Sequence, residues 1–110
     1  MANLFDVARA CELLERFTRG KTFEEYAVDP LLRSAVERQF EIVGEALRRA
    51  LDRDPGLRAH VTDATRIVAF RNRLIHGYAS VSAEVAWGVL EGSLPVLHRE
   101  VRALLEDDGG

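Results

Sequence analysis

The run Ala64-Thr65-Arg66-Ile67-Val68-Ala69-Phe70-Arg71-Asn72-Arg73-Leu74-Ile75-His76-Gly77-Tyr78 decides how this chain is read. Ala64, Ile67, Val68, Leu74 and Ile75 recur at the spacing of one helix face. The pattern predicts a helix that starts near Thr62 or Asp63 and ends at His76. Gly77 is a natural cap, because glycine takes the left-handed conformation without strain. Position 71 falls in phase with the apolar stripe, three residues after Val68 and four before Ile75, yet it holds an arginine. A guanidinium on an inward face is costly unless it is paired or lines a cleft. The alternative is that its long stem covers apolar surface while the head reaches water. The pattern alone leaves both readings open.

Outward from this run, helical periods continue and no β-alternating run persists. A first helix is predicted over Leu4 to Thr18, with Leu4, Val7, Ala8, Cys11 and Leu14 on one face, Asn3 as cap and Gly20 as terminator. Lys21 to Asp29 forms a connector with a single helical turn at Phe23–Tyr26. Asp29 and Pro30 then open a long helix, as cap and first residue. Leu32, Val36, Gln39 or Phe40, Val43, Leu47 and Ala50 carry its stripe to about Leu51. Asp54-Pro55-Gly56 is a turn. The last helix is predicted from Ala83 to Leu105 behind a Ser82 cap, kinked at Pro95 with Gly88 and Gly92 softening the bend. The expected architecture is all-α: an up-and-down four-helix bundle with a short extra helical turn, one domain over residues 1–105 and a flexible polar tail over 106–110.

Composition narrows the function classes. A chain of 110 residues makes one modest core, and dimerisation would help it bury apolar surface. No apolar run approaches a membrane span, and the N-terminus does not read as a secretion signal, so a cytoplasmic protein is expected with no membrane partner. The single Cys11 cannot form an internal disulfide and is expected in the core. A formal net charge of -3 argues against DNA or long-duplex binding. The distribution is uneven, however. From Ala64 to Ala83 there is no Asp or Glu, while Arg66, Arg71, Arg73 and His76 all lie there. A locally basic surface on an acidic protein suits a small phosphate site, with Arg66 and Arg73 as RNA contacts. The bland reading of those two is a solvated face.

Asn72 and His76 are four apart and share a helix face, so the amide can orient the imidazole. Arg71 and His76 are five apart, about 140° round the helix. They meet on one phosphate if the arginine reaches round, if the last turn unwinds near Gly77, or if a second subunit completes the site. A composite dimeric site is the expectation. RNA carries its own nucleophile, the 2′-OH. A histidine can take that proton or protonate the leaving 5′-oxygen, while an arginine stabilises charge on the phosphate oxygens. The product would end in a 2′,3′-cyclic phosphate, with no metal or other cofactor. The chain carries no HExxH, no Cys-x-x-Cys, no Gly-rich phosphate loop and no G-x-S-x-G. His60 and His98 are expected on the surface, Trp87 in packing and Tyr26 as a connector anchor. Tyr78 either keeps its hydroxyl exposed or packs over the helix end.

Arg71, Asn72, His76 and Tyr78 form an Arg-x4-His-x-Tyr pattern that resembles the HEPN superfamily, specifically the HepT toxins of HepT/MntA toxin–antitoxin systems. Gly20–Tyr26, Phe40–Ala46 and the Leu94-Pro95 pair resemble further family segments in the right order. Thr62-Asp63-Ala64 departs from the family, where many members have a tryptophan before the motif helix. The resemblance implies a homodimeric all-α bundle and a metal-independent endoribonuclease. In that reading Arg71 and His76 are catalytic and Asn72 supports them. It also implies a partner, an MntA-like minimal nucleotidyltransferase antitoxin that transfers AMP to Tyr78. The RNA is not named; recognition by shape or by an exposed single-stranded end is expected, with tRNA as one candidate. Two other functions compete: a non-catalytic helical subunit that docks on a minimal nucleotidyltransferase, and a plain dimerising bundle.

Overall fold

The computed structural model describes residues 2–76 and 81–109, and every described element is helical. Helix α1 spans Ala2–Thr18, α2 Phe23–Ala27 and α3 Pro30–Arg53. A 3-10 turn follows over Pro55–Ala59, then α4 (Ala64–His76), α5 (Ala83–Glu91) and α6 (Ser93–Gly109). Gly77, expected as a helix cap, and Tyr78, on which the family resemblance implies AMP transfer, lie outside the described residues.

The element boundaries follow local chemistry. Asn3 lies inside α1 rather than capping it, since the helix already begins at Ala2. Gly20, at φ 76, turns the chain out of α1 in the left-handed region that glycine tolerates. The connector turn is better specified than its composition suggested. Thr22 accepts from the Glu25 N–H at 3.1 Å while the Glu25 carboxylate accepts from the Thr22 N–H at 2.8 Å, a reciprocal capping box. Asp29 caps α3 through the Leu32 N–H at 3.1 Å, with Pro30 at its first position.

The last helix differs from expectation. It is two helices, broken at Gly92 rather than bent at Pro95. The proline ring clashes with the carbonyl four residues earlier and supplies no N–H to it. That carbonyl belongs to Glu91, so the fault falls where α5 ends, and Pro95 sits comfortably in the first turn of α6. At the other end α6 runs to Gly109, so residues 106–109, expected as a flexible tail, continue the helix.

Helix α3 is the centre of the bundle. It packs against α1 on one side and α4 on another, and also touches α2 and the 3-10 turn. Helix α1 also meets α6, and α5 packs on α6 and α2. Leu4, Val7, Cys11 and Leu14 meet Val36, Phe40, Val43 and Leu47 in the core, with Leu94, Leu97 and Val101 behind them. Tyr26 is fully buried beside Trp87, ring centroids 5.3 Å apart, as the anchor its connector required. Phe40 and Phe70 meet edge to face at 5.1 Å and tie α4 to α3. Among the pairs of elements in substantial contact, α4 appears only with α3, so it forms an edge of the molecule. No described helix is long and apolar enough to cross a membrane.

Candidate active site

The seam between α3 and α4 explains the misplaced arginine. Ala64, Ile67 and Phe70 are buried on α4, and Arg71 follows on the same side, its side chain only 18% exposed. The room comes from Gly44 on α3. A Cβ there would collide with the Arg71 Cβ and lie 2.6 Å from its Cγ. The glycine lets the arginine stem cross the seam at backbone level. Compensation comes from the next residue. Glu45 Oε2 accepts from Arg71 Nη2 at 3.1 Å. Asn72 Oδ1 accepts from Nη1 at 2.9 Å on the exposed side. The Nε–H is buried without a partner. Both terminal nitrogens are thus engaged, Nη2 by Glu45 inside the seam and Nη1 by Asn72 at the surface.

Glu45 serves more than one cation. Arg48 donates to its Oε1 from Nη2 and Nε, at 2.7 and 2.9 Å, and Arg49 lies 3.9 Å away. The hydrogen bonds from Arg48, helped by the charges of Arg71, Arg48 and Arg49, hold the carboxyl below its ordinary range. Three guanidiniums face two carboxylates, Glu45 and the Asp52 that Arg48 also meets at 3.2 Å, so the cluster is net positive by one. Such a surplus favours a phosphate beside Arg71.

His76 is exposed at the last residue of α4, as is Asn72 one turn earlier. The expected Asn72–His76 bond is replaced: the Asn72 amide oxygen is committed to Arg71. Among the described residues no hydrogen bond joins Arg71 to His76. Five residues carry His76 about 140° round the axis and about 7.5 Å along it from Arg71. The single chain thus holds a clamped arginine and an accessible imidazole on different faces of one helix. Arg66 and Arg73 are exposed on its outer side. Among the described residues no three His, Cys, Asp or Glu side chains gather as metal donors.

The family description Ribonuclease HepT-like matches residues 7–104. The chain belongs to the HepT-like ribonuclease family. It is 34% identical over 94 residues to a "Probable ribonuclease HepT" of Thermococcus cleftensis, a match that covers 86% of this chain and 84% of the relative. It is also 28% identical over 102 residues to a "Putative RNase" of Caldanaerobacter subterraneus subsp. tengcongensis, covering 93% and 90% of the two chains. No solved structure matches the chain significantly. By family this HepT-like protein is a ribonuclease with RNA as its substrate.

Two residues that hold Arg71 were not singled out as site residues from the sequence, Gly44 and Glu45. Gly44 left a legible mark. It lies in phase with Phe40 and Leu47 in the middle of a helix, where glycine costs about 1 kcal/mol relative to alanine and signals a close approach. Glu45 left none, because Arg48 and Arg49 make it look like an ordinary surface pair. His98 also departs from expectation. It is 7% exposed, with Nδ1 2.9 Å from Glu15 Oε2 and Nε2 buried without a partner. Cys11 is fully buried as expected, and burial pushes its thiol up to about 12, so it stays protonated.

Proposed function

We propose that the protein is a metal-independent endoribonuclease toxin that works as a homodimer. The observation that carries this is Arg71, an arginine drawn into a helix seam by Glu45 and Gly44, with its Nη1 held at the surface by Asn72 and His76 exposed on the same helix. The second Nη1 hydrogen of Arg71 binds a non-bridging oxygen of the scissile phosphate and stabilises the charge that grows there. Asn72 and Glu45 position the guanidinium. His76 takes the proton of the 2′-OH, whose oxygen attacks phosphorus, or returns a proton to the departing 5′-oxygen. The strand ends in a 2′,3′-cyclic phosphate and the other fragment in a free 5′-OH. The angle between Arg71 and His76 is met across a two-fold axis, where Arg71 of one protomer faces the partner subunit's His76.

The toxin is silenced, in this reading, by a minimal nucleotidyltransferase antitoxin that transfers AMP to Tyr78. The support is the Arg-x4-His-x-Tyr pattern in a chain of the HepT-like family. An added phosphodiester and adenosine two residues from His76 repel and block the RNA backbone.

The test is RNA cleavage by the purified protein with EDTA present. Wild type should cut and leave cyclic phosphate ends, and Arg71→Ala and His76→Ala should not. Intact RNA with wild type would favour the docking-subunit reading instead. Mass spectrometry after incubation with the antitoxin and ATP should place AMP on Tyr78. Sedimentation should give a dimer at micromolar concentration.

A further inference from the structure

The outward face of α4 is a ridge without acid. Each residue turns a helix by about 100°, which brings Arg66, Ala69, Arg73 and His76 to one side with Thr65 and Asn72 beside them. All six are exposed. Arg66 and Arg73 have no acidic partner within ion-pair distance among the described residues. The 3-10 turn lengthens the ridge. It brings Arg58 alongside, with Nη1 3.2 Å from Thr65 Oγ1. Asp63, the nearest acid in sequence, is half-buried and falls on the inner side of the helix. Glu100 marks the far end, where its carboxylate accepts from the Thr62 N–H at 3.0 Å and from the hydroxyl at 2.6 Å. Because α4 packs substantially on α3 alone, its outer side is open.

Building on the nuclease reading, we propose that a single-stranded RNA segment lies along this ridge. Its phosphates meet Arg58, Arg66 and Arg73, and the scissile phosphodiester lies at the His76 end. The ridge is one side chain wide and spans about 15 Å from the Arg66 Cα to the His76 Cα. That matches one strand. Recognition of duplex RNA by shape needs contacts across two grooves over roughly 16 base pairs. Off the ridge, a molecule of net charge -3 offers a polyanion little.

Two measurements separate the ridge from the nuclease. In the first, a fluorescent single-stranded 2′-O-methyl RNA, which lacks the nucleophile, is titrated with the intact protein at several salt concentrations. Arg66→Ala and Arg73→Ala should each lower the slope of log affinity against log salt by about 0.7, and Arg58→Ala likewise. Arg102→Ala, on α6, should leave it unchanged. In the second, cleavage of a dinucleotide, whose one phosphodiester spans only the His76 end of the ridge, is compared with that of a longer strand. The Arg66→Ala/Arg73→Ala double variant should raise KM for the longer strand about tenfold and for the dinucleotide by much less. The ridge is refuted if these variants leave slope and KM untouched, if Arg102→Ala lowers the slope as much, or if duplex RNA binds as tightly with the same slope. Wild type that binds the methylated strand with the full slope yet cuts no RNA supports the ridge and refutes the nuclease.

Discussion

The α3–α4 and α1–α6 seams each bury a basic side chain against a glutamate, and each leaves one ring or guanidinium nitrogen without a partner. In the first, Arg71 meets Glu45 and its Nε is orphaned; in the second, His98 meets Glu15 and its Nε2 is orphaned. A polar group inside a bundle is therefore not by itself a mark of activity. The seams differ in what surrounds the pair. Arg71 sits at the edge of the bundle, where its Nη1 donates to the exposed Asn72. His98 is closed over at 10% side-chain exposure, with Nδ1 2.9 Å from Glu15 Oε2. The first arrangement presents charge to a ligand, and the second locks two helices.

The sharpest contrast is in turnover. Arg71→Ala should lower RNA cleavage about 100- to 1000-fold, the usual loss on removing a donor to a developing oxyanion. His98→Leu should leave cleavage within about twofold, measured where both variants remain folded. A folded but inactive His98→Leu protein would erase the distinction. Stability should run the other way. Removing one partner of a buried pair strands the other, so the His98→Leu melting temperature should fall. The fall is softened by Glu15, which is 39% exposed and can turn to water.

Gly44 gives the next largest effect. Gly44→Ala forces the Arg71 stem aside and should destabilise the fold by about 1–3 kcal/mol, the range for overpacking. Chemical denaturation measures that cost. Arg71→Gly in the same chain should recover much of it, because the colliding Cβ is gone.

A smaller effect follows from Glu45. Its folded-state carboxyl is held below the ordinary range, so its contribution to stability is present above the unfolded carboxylate pKa. That contribution is lost as pH falls through the depressed value. Stability followed through the acid range should decline less steeply in Glu45→Gln than in wild type. Parallel curves would mean that this carboxylate gains no stability from Arg48 and the neighbouring Arg71 and Arg49. Last, Cys11 should resist thiol reagents in the native protein and react only on unfolding, which is read as the rate of colour release with a disulfide reagent.

Much of the architecture was legible in the chain. The stripes from Leu4 to Leu14 and from Leu32 to Ala50 face the core as their period required. Asp29, Pro30 and Ser82 begin helices as their side chains dictate. Pro95 announced a fault, but the break appears at Gly92 because the ring acts on a carbonyl four residues back. For the site, Arg71 stood out because it interrupted an apolar stripe. Its partner did not, because Glu45 lies 26 residues away and on a helix where it already has arginine neighbours.

By itself the sequence determined the helices, their inward faces, the acid-free outer side of α4 and the family motif. All of these depend on residues within a few positions of one another, where helix geometry fixes who shares a face. Only the tertiary structure decided that Gly44 admits the Arg71 stem, that Glu45 holds its head, that His98 is buried against Glu15 and that Arg58 joins Thr65. These pairings depend on how far apart two helices pack and how they are rotated. Those quantities come from the fit of whole surfaces, and local periodicity carries no trace of them.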